Sequence, residues 1–270
     1  MPDSLPDLVP DPALVTRLRA AGCVYAEDEA RLLAAAATSA ADLERLVLAR
    51  VAGSPLELLL GYAEFCGLRV AVAPGVFVPR QRTALLVDEA TALLRPGAVV
   101  VDLCCGTGAI AAVLAGRSPD LEVWAADVDP DAVACARRNL PPARVLEGDL
   151  FAALSPGLAG RVDVLACNAP YVPTDAIALM PPEARDHEHR VALDGGPEGL
   201  DLHARVAAGA PAWLAPGGTV LIESSDRQAT ATAALLGAAG LTTRVVSDDE
   251  TGGTVVIGQR LEPGAPADEV

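Results

Sequence analysis

The sequence predicts an α/β protein: a doubly wound, mostly parallel sheet joined through a hairpin linker to a small N-terminal helical bundle. Three observations carry that expectation. Strand-like and helix-like segments alternate from about residue 80 onward. Before residue 60 the apolar spacing is helical throughout, and between the two the pattern shortens to β-like runs broken by Gly and Pro. The expected boundaries are a helical domain at 1–60, a linker at 61–80, a sheet domain at 81–260 and a disordered Pro/Ala/acid-rich tail at 261–270.

Each element follows from local pattern. Pro12 followed by Leu14, Val15 and Leu18 opens an amphipathic helix, and 26–37 and 40–51 continue at the same period. Gly22, Thr38–Ser39 and Gly53–Ser54–Pro55 punctuate them. The run GYAEFCGLRVAVAPGVFVP reads as a hairpin. A strand at 98–103 runs into CCGTG and a helix at 107–116. A strand at 121–126 stops at Asp127, and Pro130–Asp131 open a helix at 130–139. Short strands at 143–147 and 161–167 stop at Gly148–Asp149 and at Asn168. A helix at 200–214 precedes a strand at 217–223, and late strands at about 242–247 and 253–259 flank Thr251–Gly252–Gly253.

Composition narrows the function classes. The 270 residues carry 20 Lys+Arg against 36 Asp+Glu, a net charge of −16, and every one of those basic residues is Arg. Without Lys there is no Schiff-base chemistry and no P-loop. The acidic balance, with three Phe and three Tyr, disfavours a nucleic-acid groove, which needs cations and stacking platforms. An apolar content of 51% against 21% charged residues marks a globular chain. No apolar run is long enough for a membrane span, and MPDSLPDLVP lacks the cationic start of a secretory leader, so a cytoplasmic protein is expected. The six cysteines (23, 66, 104, 105, 135, 167) form no CxxC pair and are expected as reduced thiols. His187–Glu188–His189 lacks further clustered ligands, so it reads as ordinary loop polarity and no metal is expected.

In an open α/β sheet, ligands bind beyond the carboxyl ends of the strands, near the point where strand order reverses. Four polar features fall at such ends: Asp102–Leu103–Cys104–Cys105–Gly106–Thr107–Gly108, then Asp127, Asp149 and Asn168. A Gly-rich turn lets a ligand approach the backbone, and an acid ending the second strand suits ribose hydroxyls. A nucleoside-containing cofactor is therefore expected. The turn is D-x-x-x-G-x-G, which favours a dinucleotide less. Taken singly, Asp127 reads as a helix cap, Asp102 as a partner for loop amides, and Asn168–Tyr171 as a turn. Their occurrence at successive strand ends is what favours a site.

The same residues resemble a known family. VVDLCCGTGAIAAVLA resembles motif I of class I S-adenosylmethionine-dependent methyltransferases, AADVDPDAVACARRN their second-strand acid motif, and EGDLF the third. CNAPY resembles the N-P-P-Y signature of amino-methyltransferases. GSPLELLLGYAEFCGLRVAVAPGVFVPR, HEHRVALDGGPEGLDL, LAPGGTVLIESS and Gln228 resemble the HemK/PrmC family, which methylates the glutamine side-chain amide of peptide-release factors. Three departures stand out. The family's P-R-P-E-T-E becomes Pro79–Arg80–Gln81–Arg82–Thr83–Ala84, its E-P becomes Glu188–His189, and Ala169 replaces the first signature Pro.

The resemblance implies S-adenosylmethionine as cofactor and a release-factor-like protein as partner, with neither membrane nor direct nucleic-acid binding. It gives Asn168 and the carbonyl of Ala169 the role of accepting hydrogen bonds from the target NH2, with Pro170 restricting Ala169 to an extended conformation and Tyr171 packing over the group as an aromatic wall. Asn168 is also expected beside the cofactor. Asp127 would meet the ribose, Gly106 and Gly108 would support the methionine portion, and Cys104, Cys105 and Thr107 of the same turn would also bind the cofactor. Asp149 would meet the adenine amino group and Leu150 its ring. Asp102 would support the loop or the methionine ammonium, while Arg82 and Thr83 would close the site from the linker side. Two alternatives remain open at this stage: another amine acceptor, in a small molecule or in adenine, or a cofactor-binding protein without catalysis.

Overall fold

A computed structural model describes residues 11–262. The leader reading of residues 1–10 and the tail reading beyond Glu262 lie outside the described residues.

The N-terminal helices are α1 (Pro12–Ala20), α2 (Ala26–Ala36), α3 (Ala40–Val51) and α4 (Leu56–Leu60). Asp11 caps α1, its carboxylate accepting the Ala13 N–H at 2.9 Å ahead of Pro12. Ser39 caps α3 through the Asp42 N–H at 3.1 Å. Helix α4 ends at Gly61, whose φ of +80° suits a residue without Cβ. Leu14, Leu18, Leu33 and Leu46 close the bundle's own core. Arg50 on α3 donates to Glu29 at 2.6 Å inside the bundle and to Glu183 at 2.6 Å outside it, tying the bundle to the later loop.

The linker forms the expected hairpin, β1 (Tyr62–Phe65) antiparallel to β2 (Leu68–Ala71). Next come α5 (Ala84–Ala92), β3 (Val99–Leu103), α6 (Ala109–Arg117), β4 (Glu122–Asp127), α7 (Pro130–Asn139), β5 (Val145–Glu147) and β6 (Val162–Cys167). The chain continues through α8 (Pro182–Arg185), α9 (Asp201–Trp213), β7 (Leu214–Glu223), α10 (Asp226–Ala238), β8 (Thr242–Asp248) and β9 (Gly253–Gln259). The large sheet has seven strands in the order β5-β4-β3-β6-β7-β9-β8. Its first five strands are parallel, and β9 runs antiparallel to both β7 and β8. The turn from β8 to β9, closed by Gly252 at φ +67°, is too short for a parallel crossover.

Strand alternation sorts the core into two layers. Val100, Val123, Ala125 and Val164 face α5, α6 and α7, whereas Val101, Leu103, Leu165 and Ile222 face α9 and α10. Two helices that the sequence pattern does not single out, α5 and α10, complete these layers. Helix α6 starts at Ala109, later than expected, because Gly106 and Gly108 both hold positive φ. Strand order reverses between β3 and β6, so their carboxyl ends open a crevice. Among the described residues no helix is long and apolar enough to cross a membrane.

Candidate active site

A cavity of about 760 Å³ opens over that crevice, within the range usual for small-molecule sites. Its floor on the β3 side is the turn from Cys104 to Thr107. Cys104 adopts φ +55°, an uncommon conformation for a side-chain-bearing residue, and Gly106 adopts +53°. Asp127, the last residue of β4, fixes this turn. Its Oδ2 accepts the Gly106 N–H at 2.8 Å and its Oδ1 the Asp129 N–H at 2.9 Å. Burial pushes its carboxyl above the usual range, against these two amide bonds. The helix-cap role belongs to Asp129, whose Oδ1 accepts from the Asp131 N–H at 2.9 Å. Asp149 lines the cavity as well, paired with Arg205 at 2.7 Å.

The far side belongs to the segment after β6. Asn168 donates its Nδ2 to Thr83 Oγ at 3.4 Å, while among the described residues its Oδ1 and the Ala169 carbonyl accept from no group. Tyr171 donates its hydroxyl to Glu223 Oε1 at 3.2 Å, and Arg82 Nε donates to the same oxygen at 3.2 Å. Burial, with Glu223 nearby, raises the Tyr171 hydroxyl to about 12, so the ring stays neutral. The Arg82 guanidinium lies 5.9 Å from the Tyr171 ring centroid. Gln228 Nε2 donates to the carbonyls of Tyr171 and Glu198, both at 2.9 Å. A Cβ on Gly195 would sit 2.7 Å from the Pro170 carbonyl, so only glycine lets this strap lie against the signature.

A third contact set joins linker and loop. Buried Glu188 accepts from the Val78 N–H at 3.1 Å and from Arg80 at 2.5 Å. His189 Nδ1 meets Asp129 Oδ2 at 2.7 Å, and this bond raises the imidazole pKa. The loop 187–189 therefore does more than alternate polarity. Asp129, Asp131 and His189 offer ligand atoms within 4.8 Å of one another, but all three are explained by capping and ion pairing.

Residues 67–180 match the family described as methyltransferase small domain. A release factor glutamine methyltransferase of Geobacter sulfurreducens is 37% identical over 80% of this chain and 76% of that protein. One from Cereibacter sphaeroides is 37% identical over 92% of this chain and 96% of its own length. The chain belongs to the release factor glutamine methyltransferase family. Its fold is that of class I methyltransferases, and a methyltransferase from Pyrococcus furiosus superposes with a TM-score of 0.55 at 19% identity, covering 73% of this chain and 90% of that one. Another relative, a 4-amino-L-phenylalanine/4-methylamino-L-phenylalanine methyltransferase of Streptomyces pristinaespiralis, is 37% identical over 71% of this chain and 65% of that protein.

Within this family member, the structure brings most of the expected site residues onto one cavity. Arg82, Thr83, Cys104, Cys105, Gly106, Thr107, Asp127, Asp149 and Asn168 through Tyr171 all line it. Three expected residues stand behind the wall. Asp102 is fully buried because the β3 pleat turns it under α6, where Oδ2 accepts the Ala111 N–H at 3.1 Å and Oδ1 has no partner. Burial lifts its carboxyl to about 7, and its one bond holds the first turn of α6. Gly108 packs against Leu140 and Ala136, and Leu150 turns into the α9 layer at φ +50°. Glu223 and His189 are the residues that sequence reasoning leaves unassigned. Glu223 ends a strand like Asp127 does, which was the available signal; His189 stands where the family pattern carries proline.

Proposed function

We propose that this protein transfers the methyl group of S-adenosylmethionine to the side-chain amide nitrogen of a glutamine in a protein of the peptide-release-factor kind. One observation carries the reading. Asn168 Oδ1 and the Ala169 carbonyl are adjacent acceptors without partners among the described residues, and a primary amide presents two N–H donors. Thr83 fixes which way the Asn168 amide points, since Nδ2 is already engaged there. The carbonyl needs no proline, so the replacement by Ala169 keeps the acceptor. Pro170 keeps Ala169 extended. Tyr171, clamped at its hydroxyl and its carbonyl, closes the space beside the amide.

Asp127, Asp149 and the turn Cys104–Thr107 would hold the cofactor, and their chemistry fits a nucleoside: an acid with fixed oxygens, a Gly-backbone cradle and a second acid beyond. The cofactor, when bound, supplies an already activated methyl group. What this chain contributes is orientation and exclusion of water, and alignment alone accounts for large accelerations. The surplus of acids suits a basic protein partner, including one that itself binds RNA, acting in the cytoplasm. A small-molecule amine is the second reading, favoured by the amino-acid-derivative methyltransferase among the relatives. Labelled S-adenosylmethionine in cell extract separates them: label in a release-factor-sized protein supports the first, label confined to small metabolites the second.

A further inference from the structure

We propose that Arg82 reads a carboxylate carried by the methyl acceptor, so that the substrate holds an anionic group beside the nitrogen that is methylated. The inference rests on the amide-holding role given above to Asn168 and narrows the acceptor it serves.

Position is the first argument. Arg82 lies in the short helix Gln81–Thr83, one residue before the Thr83 hydroxyl that holds Asn168, and it lines the same cavity. Its guanidinium lies over the Tyr171 ring. An acceptor seated between Asn168 and Tyr171 therefore comes within reach of this side chain.

Orientation is the second. The Nε–H is held by Glu223 Oε1 at 3.2 Å, which fixes the plane of the guanidinium. Among the described residues Nη1 and Nη2 donate to no carboxylate, although the guanidinium also neighbours the Tyr171 hydroxyl, and the side chain is 42% exposed while Glu223 is 1% exposed. The fork left open is the pair of donors that matches a carboxylate bidentately. The other arginines on the cavity wall are engaged: Arg205 with Asp149 at 2.7 Å and Arg190 with Asp194 at 2.9 Å. Arg82 is thus the lining cation, among the described residues, whose two terminal nitrogens both lack a carboxylate partner.

Charge is the third. The pattern that this segment resembles carries glutamate where this chain has Arg82. A cation at this place on the wall favours a different neighbour for the target nitrogen than an anion there would. The ligand class that fits the open fork is a carboxylate. It has two possible sources: an acidic side chain next to a target glutamine in a protein, or the α-carboxylate of a free amino acid.

The test uses the full-length protein and two matched pairs of acceptors. One pair is a peptide with Asp beside the glutamine and the same peptide with Asn; the other is L-glutamine and its carboxyl-blocked amide. The carboxylate member of at least one pair should be preferred about tenfold or more in kcat/KM. The pair that shows it identifies the source. Arg82→Gln should bring that ratio to about one through KM with kcat little changed, and Arg82→Lys should keep part of it. Calorimetric titration of the S-adenosylhomocysteine-loaded protein with glutarate gives a readout free of turnover: binding in the natural protein, none in Arg82→Gln. Since Arg82→Gln leaves buried Glu223 without its cation, the double variant Arg82→Gln/Glu223→Gln repeats each measurement in a protein without that orphaned charge. Equal use of both members in each pair, a preference that survives Arg82→Gln, or glutarate binding that ignores Arg82 would overturn the proposal. If neither pair is methylated while glutarate still binds through Arg82, the amide-transfer reading fails and the carboxylate site stands. Failure of both overturns both.

Discussion

At the end of the cavity proposed for the cofactor, the turn from Cys104 to Thr107 and the start of α7 are fixed by neighbours close in sequence, although Asp149 and Asp129 also reach Arg205 and His189 across 56 and 60 positions. Asp127 reaches Gly106 across 21 positions, and Asp129 reaches Asp131 across two. At the acceptor end the bonds named above are all long-range: 85 positions from Asn168 to Thr83, 141 from Arg82 to Glu223, 57 from Gln228 to Tyr171. The contrast has a physical meaning. Strand ends in a parallel sheet converge by topology alone, so short motifs suffice there. An acceptor pocket must be assembled from linker, signature, strap and last parallel strand, and each piece is free to change with the substrate. Two departures from the family pattern, in the segment Pro79–Ala84 and at Ala169, lie at that second end, while the third, Glu188–His189, joins Arg80 on the linker to Asp129 at the first end.

If the two ends are separable in this way, substitutions should divide cleanly between them. Asn168→Ala should lower turnover by a factor on the order of 10³ while cofactor affinity, followed by calorimetry, changes little; a matching loss of cofactor binding would merge the two ends. Asp102→Asn tests the scaffold beneath the turn. The Asp102 carboxyl, raised to about 7 by burial, keeps its proton in the folded protein at pH values where the unfolded chain has lost it. The folded state then binds more protons between about pH 4 and 7, so this contribution is complete below pH 4 and is lost as pH rises towards 7. The loss is on the order of 4 kcal/mol across that window, and Asp102→Asn should flatten it in denaturant titrations. Because burial raises the Asp127 and Glu188 carboxyls too, some slope remains in the variant, and a slope as steep as that of the natural protein would place its source elsewhere. Asp127→Ala should weaken cofactor binding about 100-fold, since it removes hydrogen-bonding acceptors and frees the Gly106 turn. Acceptor KM should stay close to that of the natural protein at saturating cofactor; a comparable rise would count against separability.

The same division explains what was legible in the sequence. The bounds of α7, the hairpin and the strand ends at Asp127 and Asn168 could be read because capping, turn chemistry and apolar runs are local signals. Asp102 and Leu150 belong to recognisable motifs, yet pleat direction and a positive φ turn them away from the cavity. Neither is encoded in the motif's spacing. Glu223 sits in the quoted LIESS run, but its partners lie 52 and 141 positions away, and no pattern within one strand announces them. Helices α5 and α10 pack along the sheet through broad apolar faces whose periodicity is weak in their Ala- and Thr-rich sequences.

The central claim is that the amide of a glutamine meets Asn168 and Ala169. Mass spectrometry of a release-factor-like protein after incubation with this enzyme and isotope-labelled S-adenosylmethionine addresses it directly. The labelled methyl should be found on a glutamine side-chain nitrogen, and Asn168→Ala should abolish it. Label carried only by an amine, a nucleotide base or a free metabolite, or label unaffected by Asn168→Ala, would contradict the account.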